Sequence, residues 1–342
     1  MNKWYESAEN SSDIVLSSRI RLARNLAKYP FCGRLTPEQA GKLDTEVRQA
    51  LEKINLGENR FDFIRMEQLS RSEGLAMVEH HVISPDFLEK DPGRMVALSK
   101  DSSISVMINE EDHIRIQVLA SGLNLEQALE TANRIDDVLD ESLEYAFDDQ
   151  LGFLTACPSN LGTGLRASVM VHVPALEQAG ALNKLAGTIS KLGLTIRGTY
   201  GEGSKAQGAL YQISNQITLG ISEEQAIKNL RSIVLQVVEK EKEARKALIS
   251  SEQFVDRIYR CYGTLKYARM VSSEEFYELI SYVRIGISER VLPAEILDKI
   301  KLEDLNALLF RVGSATICKA AGSELAPEQR DAIRAKMIQE VL

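Results

Sequence analysis

The stretch ISVMINEEDHIRIQVL, residues 104–119, alternates apolar and polar side chains on either side of a run of three acids. Its apolar residues on even positions would share one face of an extended strand. The same alternation aims Glu110 and Asp112 into that apolar face, where an unpaired carboxylate is costly. Two interpretations follow: an acidic turn between two strands, or carboxylates that hold a metal through water or deprotonate a nucleophile.

Strand-like alternation recurs over the first 220 residues. The segments are 13–25, 61–66, 94–98, 104–119, 152–157, 166–173, 194–199 and 209–219. Helical periodicity begins after the N-cap Thr36 and recurs at 124–147 and 176–192. Because strands and helices do not alternate strictly, the pattern predicts an α+β fold with an antiparallel sheet flanked by helices that cover one face.

The pattern changes after residue 220. Ser222 caps a long helix that ends in the mixed-charge segment EKEKEARK, residues 239–246. Helical patterns continue from there, with caps at Ser272 and Pro293. We therefore predict an α+β domain over residues 1–250, followed by an all-α C-terminal domain over residues 251–342.

Composition narrows the class of protein. The 342 residues carry a net charge of −8, so direct nucleic-acid binding is not expected. The four cysteines form no CxxC pair and the four histidines show no metal-ligand spacing, so we expect reduced thiols and no structural metal. Since no apolar run approaches the roughly 20 residues that span a bilayer, and no signal peptide is evident, we expect a cytoplasmic protein without a membrane segment.

Arginine is placed unusually within the predicted strands. Five arginines project from four strands of what looks like one sheet, and they are Arg19, Arg21, Arg115, Arg166 and Arg197. One interpretation is a set of separate ion pairs with the abundant acids. The other interpretation is that they bind one shared polyanion, such as a triphosphate, through bidentate guanidinium hydrogen bonds.

Two glycine-rich stretches flank these arginines. GTGLRA at 162–167 matches a dinucleotide-binding fingerprint, but no acid follows at the end of the next strand, so we reject a nucleotide site of that type. The stretch at 198–208 has four glycines and carries Glu202. It is typical of a closing loop, and the alternative is a long hairpin turn.

Four motifs resemble, in chain order, those of the guanidino-kinase (phosphagen kinase) family. They cover roughly residues 13–220 and are SSRIR at 17–21, NEEDHIRI at 109–116, CPSNLGTGLRASV at 157–169 and RGTYGEGS at 197–204. The resemblance implies the guanidino-kinase catalytic fold, with ATP and Mg²⁺ as cofactors and a guanidinium as acceptor. The pKa of a guanidinium is very high, so the group needs carboxylates that orient it and accept a proton.

The resemblance also implies residue roles. Glu111 would be the base, Glu202 its partner carboxylate, and Cys157 a thiol beside the substrate nitrogens, while Glu110 and Asp112 would serve Mg²⁺ indirectly. The implied ATP-binding residues are Ser17, Ser18, Arg19, Ile20, Arg21, His81, Arg115, Arg166, Ala167, Ser168, Val169, Met170, Arg197, Gly198, Thr199, Tyr200, Gly201 and Glu202.

Departures from the family pattern indicate to which branch of the family the chain is most similar. The SxRxR motif begins at residue 17, so the helical domain that precedes it in metabolite kinases is expected to be absent. Met107 stands where those kinases have Trp, and Met170 where they have His, which leaves open whether Met170 or His172 contacts the adenine. With a helical domain after the catalytic part, the chain resembles the bacterial branch that phosphorylates arginine side chains of proteins.

That branch carries an Arg-Asp-x-x-Arg-Ala motif, and RDAIRA occupies residues 330–335 here. By resemblance, phosphoarginine would bind Arg330, Asp331, Ala332, Ile333, Arg334 and Ala335. From the sequence alone, two arginines one helical turn apart are more often a solvated helix face. An anion between them would offset their mutual repulsion, and Asp331 could receive a guanidinium.

The resemblance suggests a stress-response context with allosteric regulation. Expected partners are protein substrates with exposed arginines (unfolded proteins and a CtsR-type heat-shock repressor), an McsA-type activator, and ClpC–ClpP as the downstream protease. A homodimer or higher oligomer is also expected. Two rival functions stay open at this point: a kinase acting on free arginine, and an inactive kinase-like regulator.

Overall fold

The computed structural model describes residues 2–7, 12–89, 93–198 and 206–342. Ten strands form in this part of the chain: β1 Val15–Arg24, β2 Phe61–Arg65, β3 Met95–Ser99, β4 Ile104–Ile108, β5 Ile114–Ser121, β6 Phe147–Asp148, β7 Gly152–Phe153, β8 Leu165–His172, β9 Leu194–Gly198 and β10 Leu210–Asn215. Eight of them build one sheet in the order β2-β3-β4-β5-β1-β8-β10-β9, and β6 pairs with β7. Each neighbouring pair in the sheet is antiparallel, which confirms the predicted sheet type.

Twelve α-helices accompany the strands in the described residues: α1 Pro37–Leu51, α2 Arg71–Glu79, α3 Leu125–Asp140, α4 Pro174–Gln178, α5 Leu182–Lys191, α6 Glu223–Ile249, α7 Glu252–Tyr267, α8 Ser273–Ser288, α9 Ala294–Leu297, α10 Leu302–Arg311, α11 Ser314–Ala321 and α12 Pro327–Val341. The caps expected from the sequence are present, since the side chains of Thr36, Ser222 and Ser272 each accept a backbone N–H at the start of a helix.

The acidic run of residues 110–112 forms the turn of a hairpin. The strand-like stretch 104–119 forms two strands, β4 and β5, paired so that Ile108 lies opposite Ile114, which agrees with the interpretation of an acidic turn between two strands. Asn109 begins the turn with φ +60, and its backbone N–H donates to the carbonyl of His113 at 3.0 Å. Because the chain reverses there, the acids leave the strand and the apolar face stays continuous.

Other expected boundaries also need correction. The expected helix at 124–147 ends at Asp140, and the one at 176–192 is two helices separated by Gly180, whose φ is +64. The expected strand at 152–157 contains only Gly152 and Phe153 in strand conformation, and that at 209–219 spans Leu210–Asn215. Helix α2 had no counterpart among the sequence-based assignments.

The two faces of the sheet have different partners. On one face, α1, α3 and α6 cover a large apolar core that includes Ile20, Ile116 and Val169, none of them measurably exposed. A second buried cluster joins sheet residues such as Met170 and Leu210 to residues of the C-terminal helices such as Phe276. The division at residue 250 stays a prediction, because this cluster contains side chains from both sides of it.

Within the described residues, no helix combines the length and the apolar character needed to cross a membrane.

A buried ion pair fixes the end of β1. The guanidinium of Arg24 donates to Asp136 on α3 through Nε at 3.0 Å and Nη2 at 2.6 Å, and to the carbonyls of Ala23 and Thr163. Its carbon lies 3.6 Å from the centre of the Phe153 ring. Since β1 also carries Arg19 and Arg21, this anchor sets where those side chains stand.

We predict that Asp136→Ala lowers the free energy of unfolding by about 3 kcal/mol, because it removes the nearer counter-charge of a buried guanidinium and leaves only Glu223, 3.9 Å away. Urea unfolding followed by circular dichroism measures the change. Asp137→Ala is the matched control, since Asp137 is the next residue of α3 and is exposed. Equal effects of the two substitutions would contradict the anchoring role.

Candidate active site

The register of the central strands places the five arginines on one face of the sheet. Arg21 on β1 lies opposite Arg166 on β8, and its neighbour Ala23 lies opposite Arg115 on β5. Arg19 lies opposite Ser168, and Arg197 on β9 lies opposite Gln212 on β10. Because residues opposite each other in an antiparallel pair point to the same side, one surface collects all five guanidinium groups.

These arginines line a cavity of about 370 Å³. His81, Met107, Glu111 and Cys157 also line it, as do the small or polar residues Ser84, Ser159, Asn160, Gln117 and Gln212. Ser159 and Asn160 belong to a motif identified in the sequence, but Ser84, Gln117 and Gln212 lie outside the motifs. Gln117 and Gln212 alternate correctly on their strands, but an uncharged amide gives no signal that distinguishes a cavity residue from any other polar strand residue.

The arginine side of the cavity carries more positive than negative charge. Arg19 donates to Ser168 Oγ at 3.3 Å and to Gln212 Oε1 at 2.7 Å, both neutral acceptors. Burial, with Arg166 and Arg115 nearby, lowers the pKa of Arg19 to about 10. Burial and the neighbouring arginines also lower the pKa of Arg21, and among the described residues no carboxylate pairs with either side chain. A bound polyanion would relieve this repulsion.

The acids of the hairpin turn differ in what they face. Arg115 pairs with Glu110 through Nη1 at 2.5 Å and donates to Glu111 Oε2 through Nη2 at 2.9 Å. The side chain of Glu110 is only 4% exposed and accepts a hydrogen bond from Ser84, whereas that of Glu111 is 44% exposed. Glu111 is therefore the carboxylate of this turn that meets a molecule in the cavity.

Asp112 is fully buried beneath the turn. Its Oδ1 accepts hydrogen bonds from Asn25 Nδ2 at 2.6 Å and from the Ala156 N–H at 2.7 Å. His113 is fixed as well, since its Nδ1 accepts the Leu26 N–H, which leaves Nε2 to donate to the Pro30 carbonyl. Neither Asp112 nor Glu110 lines the cavity, so their expected action on Mg²⁺ could only be indirect.

Cys157 lies at the cavity wall at the start of the CPSNLGTGL segment. Its Sγ is 3.1 Å from Ser159 Oγ, and Pro158–Asn160 form a short 3-10 helix. The segment then passes close to β1 at Gly164, where φ is +64 and an added Cβ would lie 2.6 Å from the Ala23 carbonyl. Only glycine fits there, which explains one glycine of the motif.

His81 adjoins the arginines from the end of α2. Burial and, next, the charge of Arg19 lower its pKa to about 3, so the ring is neutral near pH 7. A small space of about 10 Å³ beside it is lined by Trp4, Ser17 and Met170. His172 does not line it and is buried against Ser281, with Nε2 and Oγ 2.8 Å apart.

The remaining predicted ATP residues fall into three groups. Ser18, Ile20, Ala167 and Val169 are buried on or beneath the opposite face of the sheet, and Ser18 Oγ donates to the Gly122 carbonyl at 2.8 Å. Gly198 pairs with Tyr211 at the end of β9. Thr199, Tyr200, Gly201 and Glu202 lie outside the described residues.

The RDAIRA segment begins at the fourth residue of α12. Arg334 is fully buried, and its guanidinium donates to the carbonyls of Val312 and Val271, to Ser314 Oγ and to Asp331 Oδ1. Arg330 is partly exposed on the preceding turn, and Ala335 is buried. Arg334 and Asp331 are therefore paired with each other.

Comparisons with known proteins agree with this architecture. Residues 42–244 match the family model described as ATP:guanido phosphotransferase, C-terminal catalytic domain, and residues 251–342 match the protein-arginine kinase McsB C-terminal domain. The described arginine-lined cavity and the first of these matches define a guanidino-type phosphotransferase. The chain belongs to the ATP:guanido phosphotransferase family and carries the McsB C-terminal domain.

Relatives match over nearly the whole chain. A protein named protein-arginine kinase from Desulforamulus reducens is 44% identical over 100% of this chain and 95% of its own length. Another protein of that name, from Symbiobacterium thermophilum, is 45% identical over 98% of this chain and 95% of its own length.

Solved structures support the catalytic fold. The duplicated taurocyamine kinase of Schistosoma mansoni, with bound transition-state analog components, is 32% identical with a TM-score of 0.60, covering 67% of this chain and 33% of that one. Lombricine kinase has a TM-score of 0.62 over 71% of each chain, at 24% identity, and shows the fold alone.

We predict that Arg21→Ala weakens ATP binding roughly 10- to 100-fold, since a charge-assisted hydrogen bond contributes about 1.5–3 kcal/mol. Isothermal titration calorimetry measures the dissociation constant. Arg21→Lys should restore only part of the affinity, because an ammonium lacks the forked geometry. Arg60→Ala, at an exposed site away from the cavity, is the control. Unchanged affinity in Arg21→Ala would exclude this side chain from the nucleotide site.

Proposed function

We propose that the chain phosphorylates arginine side chains of proteins with ATP as the phosphoryl donor. The single observation that carries the proposal is the cavity in which five arginines face the exposed carboxylate of Glu111 and the thiol of Cys157. The arginines suit a polyphosphate and the carboxylate suits a guanidinium, so donor and acceptor would meet in one space. The relatives named protein-arginine kinase support a protein as the acceptor.

In the proposed reaction, the arginine cradle binds the ATP phosphates and Glu111 orients the substrate guanidinium. The guanidinium nitrogen attacks the γ-phosphorus, the bond from that phosphorus to the β,γ-bridging oxygen breaks, and ADP leaves. Glu111 accepts the proton that the nitrogen gives up as the N–P bond forms. Positioning and charge neutralisation by the arginines supply most of the remaining rate enhancement.

Arg115 lies between the proposed phosphate-binding arginines and the proposed base, Glu111. It holds Glu111 by a 2.9 Å hydrogen bond and also faces the phosphate cradle. A phosphate that draws Arg115 toward itself would free the Glu111 carboxylate for the substrate guanidinium. Nucleotide binding would thereby prepare the base.

Mg²⁺ would enter this site with ATP and neutralise phosphate charge. The described residues contain no group of three or more metal-ligating side chains, which suits an ion held mainly by phosphates and water. Asp112 Oδ2 is buried without a hydrogen-bond partner, and Glu110 pairs with Arg115, so both would act on the ion indirectly, through water. We also propose, from the motif match, Glu202 as the partner carboxylate of Glu111.

The cellular setting is proposed from the family resemblance. It comprises unfolded proteins and a CtsR-type repressor as substrates, an McsA-type activator, and transfer of marked proteins to ClpC–ClpP. A cytoplasmic location, a stress-response role and a homodimer or higher oligomer belong to the same proposal.

We predict that Glu111→Gln loses arginine phosphorylation by about 10³-fold while ATP affinity changes little, because the amide cannot accept the proton. Incubation with Mg-ATP and a protein substrate, followed by mass spectrometry for phosphoarginine, measures the rate. Glu130→Gln, an exposed glutamate on α3, is the matched control. A loss of less than about tenfold, or roughly 1.4 kcal/mol, would contradict the assignment of the base.

The same assay with free arginine separates the proposal from its main rival. We expect phosphoryl transfer to protein arginine and little to the free amino acid. Transfer to free arginine alone would favour a metabolite kinase, and no transfer to either would favour an inactive regulator.

We further propose that residues 330–335 bind phosphoarginine at a second, non-catalytic site. Arg334 already donates to four acceptors, so a ligand would first meet Arg330 and the outer side of Asp331. Arg330 supplies a cation for the phosphate, and Asp331 an anion for the guanidinium nitrogens.

Arg330→Ala should therefore weaken binding of phosphoarginine at least about tenfold, as expected for loss of a charged hydrogen bond, and leave ATP binding unchanged. Calorimetric titration with free phosphoarginine measures this. Lys336→Ala, an exposed cation on the same helix, is the control. If Arg330→Ala and Lys336→Ala both bind phosphoarginine with wild-type affinity, the proposal of a second site at residues 330–335 is wrong.

A further inference from the structure

Glu79, the last residue of α2, connects the catalytic part to the C-terminal helices. Its Oε1 accepts the Ala315 N–H at 2.9 Å, and its Oε2 accepts both the N–H and the hydroxyl of Thr316 at 2.7 Å each. A carboxylate at the N-terminus of α11 satisfies free backbone donors and complements the helix dipole. The contact therefore holds the end of α2 and the start of α11 together.

The site on α11 is shaped for this carboxylate. Gly313 is the N-cap residue of α11, and a Cβ built on it would overlap Glu79 Oε2 and the carboxyl carbon. Gly313 has an ordinary backbone conformation (φ −57), so the close approach of Glu79 is what requires glycine here.

The two residues after Glu79 lead directly to the cavity. His80 lies with Nε2 3.3 Å from the same Thr316 hydroxyl. His81 has φ +59, a conformation that costs free energy for a residue other than glycine. Its carbonyl accepts Gln117 Nε2 at 2.8 Å, its ring packs edge-on against Phe310 of α10, and it lines the arginine cavity. The strained backbone at His81 must be held by its neighbours.

The far side of the same connection is held by Arg334. Its guanidinium donates to the Val312 carbonyl at 2.9 Å and to Ser314 Oγ at 3.0 Å, on either side of Gly313. A series of buried or partly buried polar contacts thus runs from Arg334 on α12, through residues 312–316, to Glu79. His81 follows Glu79 two residues later in the chain.

We propose that Glu79 is a positioning residue that sets the place of His81 against the nucleotide, so that the C-terminal helices control ATP affinity through it. The proposal rests on the proposed function in that it takes the cavity to be the ATP site. Glu79 touches neither ATP nor the acceptor. It acts through His81, and its effect is on nucleotide binding rather than on the chemical step.

A double-mutant cycle on ATP affinity tests this directly. Glu79→Ala should weaken ATP binding roughly fivefold, as expected for a coupling residue, and leave kcat at saturating ATP within about twofold. The second background is His81→Asn, because asparagine tolerates positive φ. In that background Glu79→Ala should not weaken ATP binding further, because the side chain through which Glu79 acts has been removed. Glu79→Gln keeps one acceptor oxygen, so its ATP affinity should lie between those of Glu79→Ala and the wild type.

Two further variants keep the test decisive. Thr316→Val, nearly isosteric, removes one hydrogen bond to Glu79 and should shift ATP affinity in the same direction without unfolding the chain. Glu67→Ala, at an exposed glutamate just before α2, is the control and should bind ATP normally.

Unchanged ATP affinity in Glu79→Ala, or losses that simply add to those of His81→Asn, would overturn the proposal. The titration needs no acceptor, so its outcome is separable from that of the proposed function. A wild-type chain that binds ATP but phosphorylates no arginine would contradict the function alone.

Discussion

Mutual repulsion among guanidinium groups on one sheet face is the constraint on which the rest of the structure depends. Arg19, Arg21 and Arg166 stand side by side on paired strands, and burial makes their charge still less favourable. The fold tolerates this because the other face of the same strands buries a large apolar core. The arginine face also buries apolar residues such as Met170 and Leu210 against the C-terminal helices, so apolar packing on both faces offsets the charge gathered at the cavity.

The hairpin turn at residues 109–113 places three neighbouring carboxylates next to a largely buried sheet, so their negative charges need partners. Each acid there has a partner: Glu110 and Glu111 share Arg115, and Asp112 accepts from the amide of Asn25. Buried acids hold the turn, which leaves the exposed Glu111 carboxylate at a fixed position beside the cavity. In the proposed reaction the base must be oriented before it accepts a proton, and the neighbouring acids and their partners would supply that orientation.

Sequence periodicity predicted the antiparallel sheet, the shared arginine face and the helix caps, because each depends on local alternation or a cap residue. It missed α2, whose residues Arg71–Glu79 show weak amphipathicity, and it left the turn within 104–119 as one of two interpretations because alternation continues across that turn. Ser84, Gln117 and Gln212 were missed for another reason. Their importance comes from tertiary position, since neutral polar residues have no spacing that marks them.

The C-terminal helices pack against the segment that leads from α2 to the cavity, and Arg334 holds part of that contact in place. Its buried guanidinium donates to two carbonyls, a hydroxyl and a carboxylate, so no donor group could turn to an incoming anion without leaving a buried acceptor unpaired. Val312 and Ser314, which it holds, flank the glycine that admits Glu79. Any ligand that recruited Arg334 would therefore loosen the turn beside Glu79, and the loss would reach His81 at the wall of the cavity.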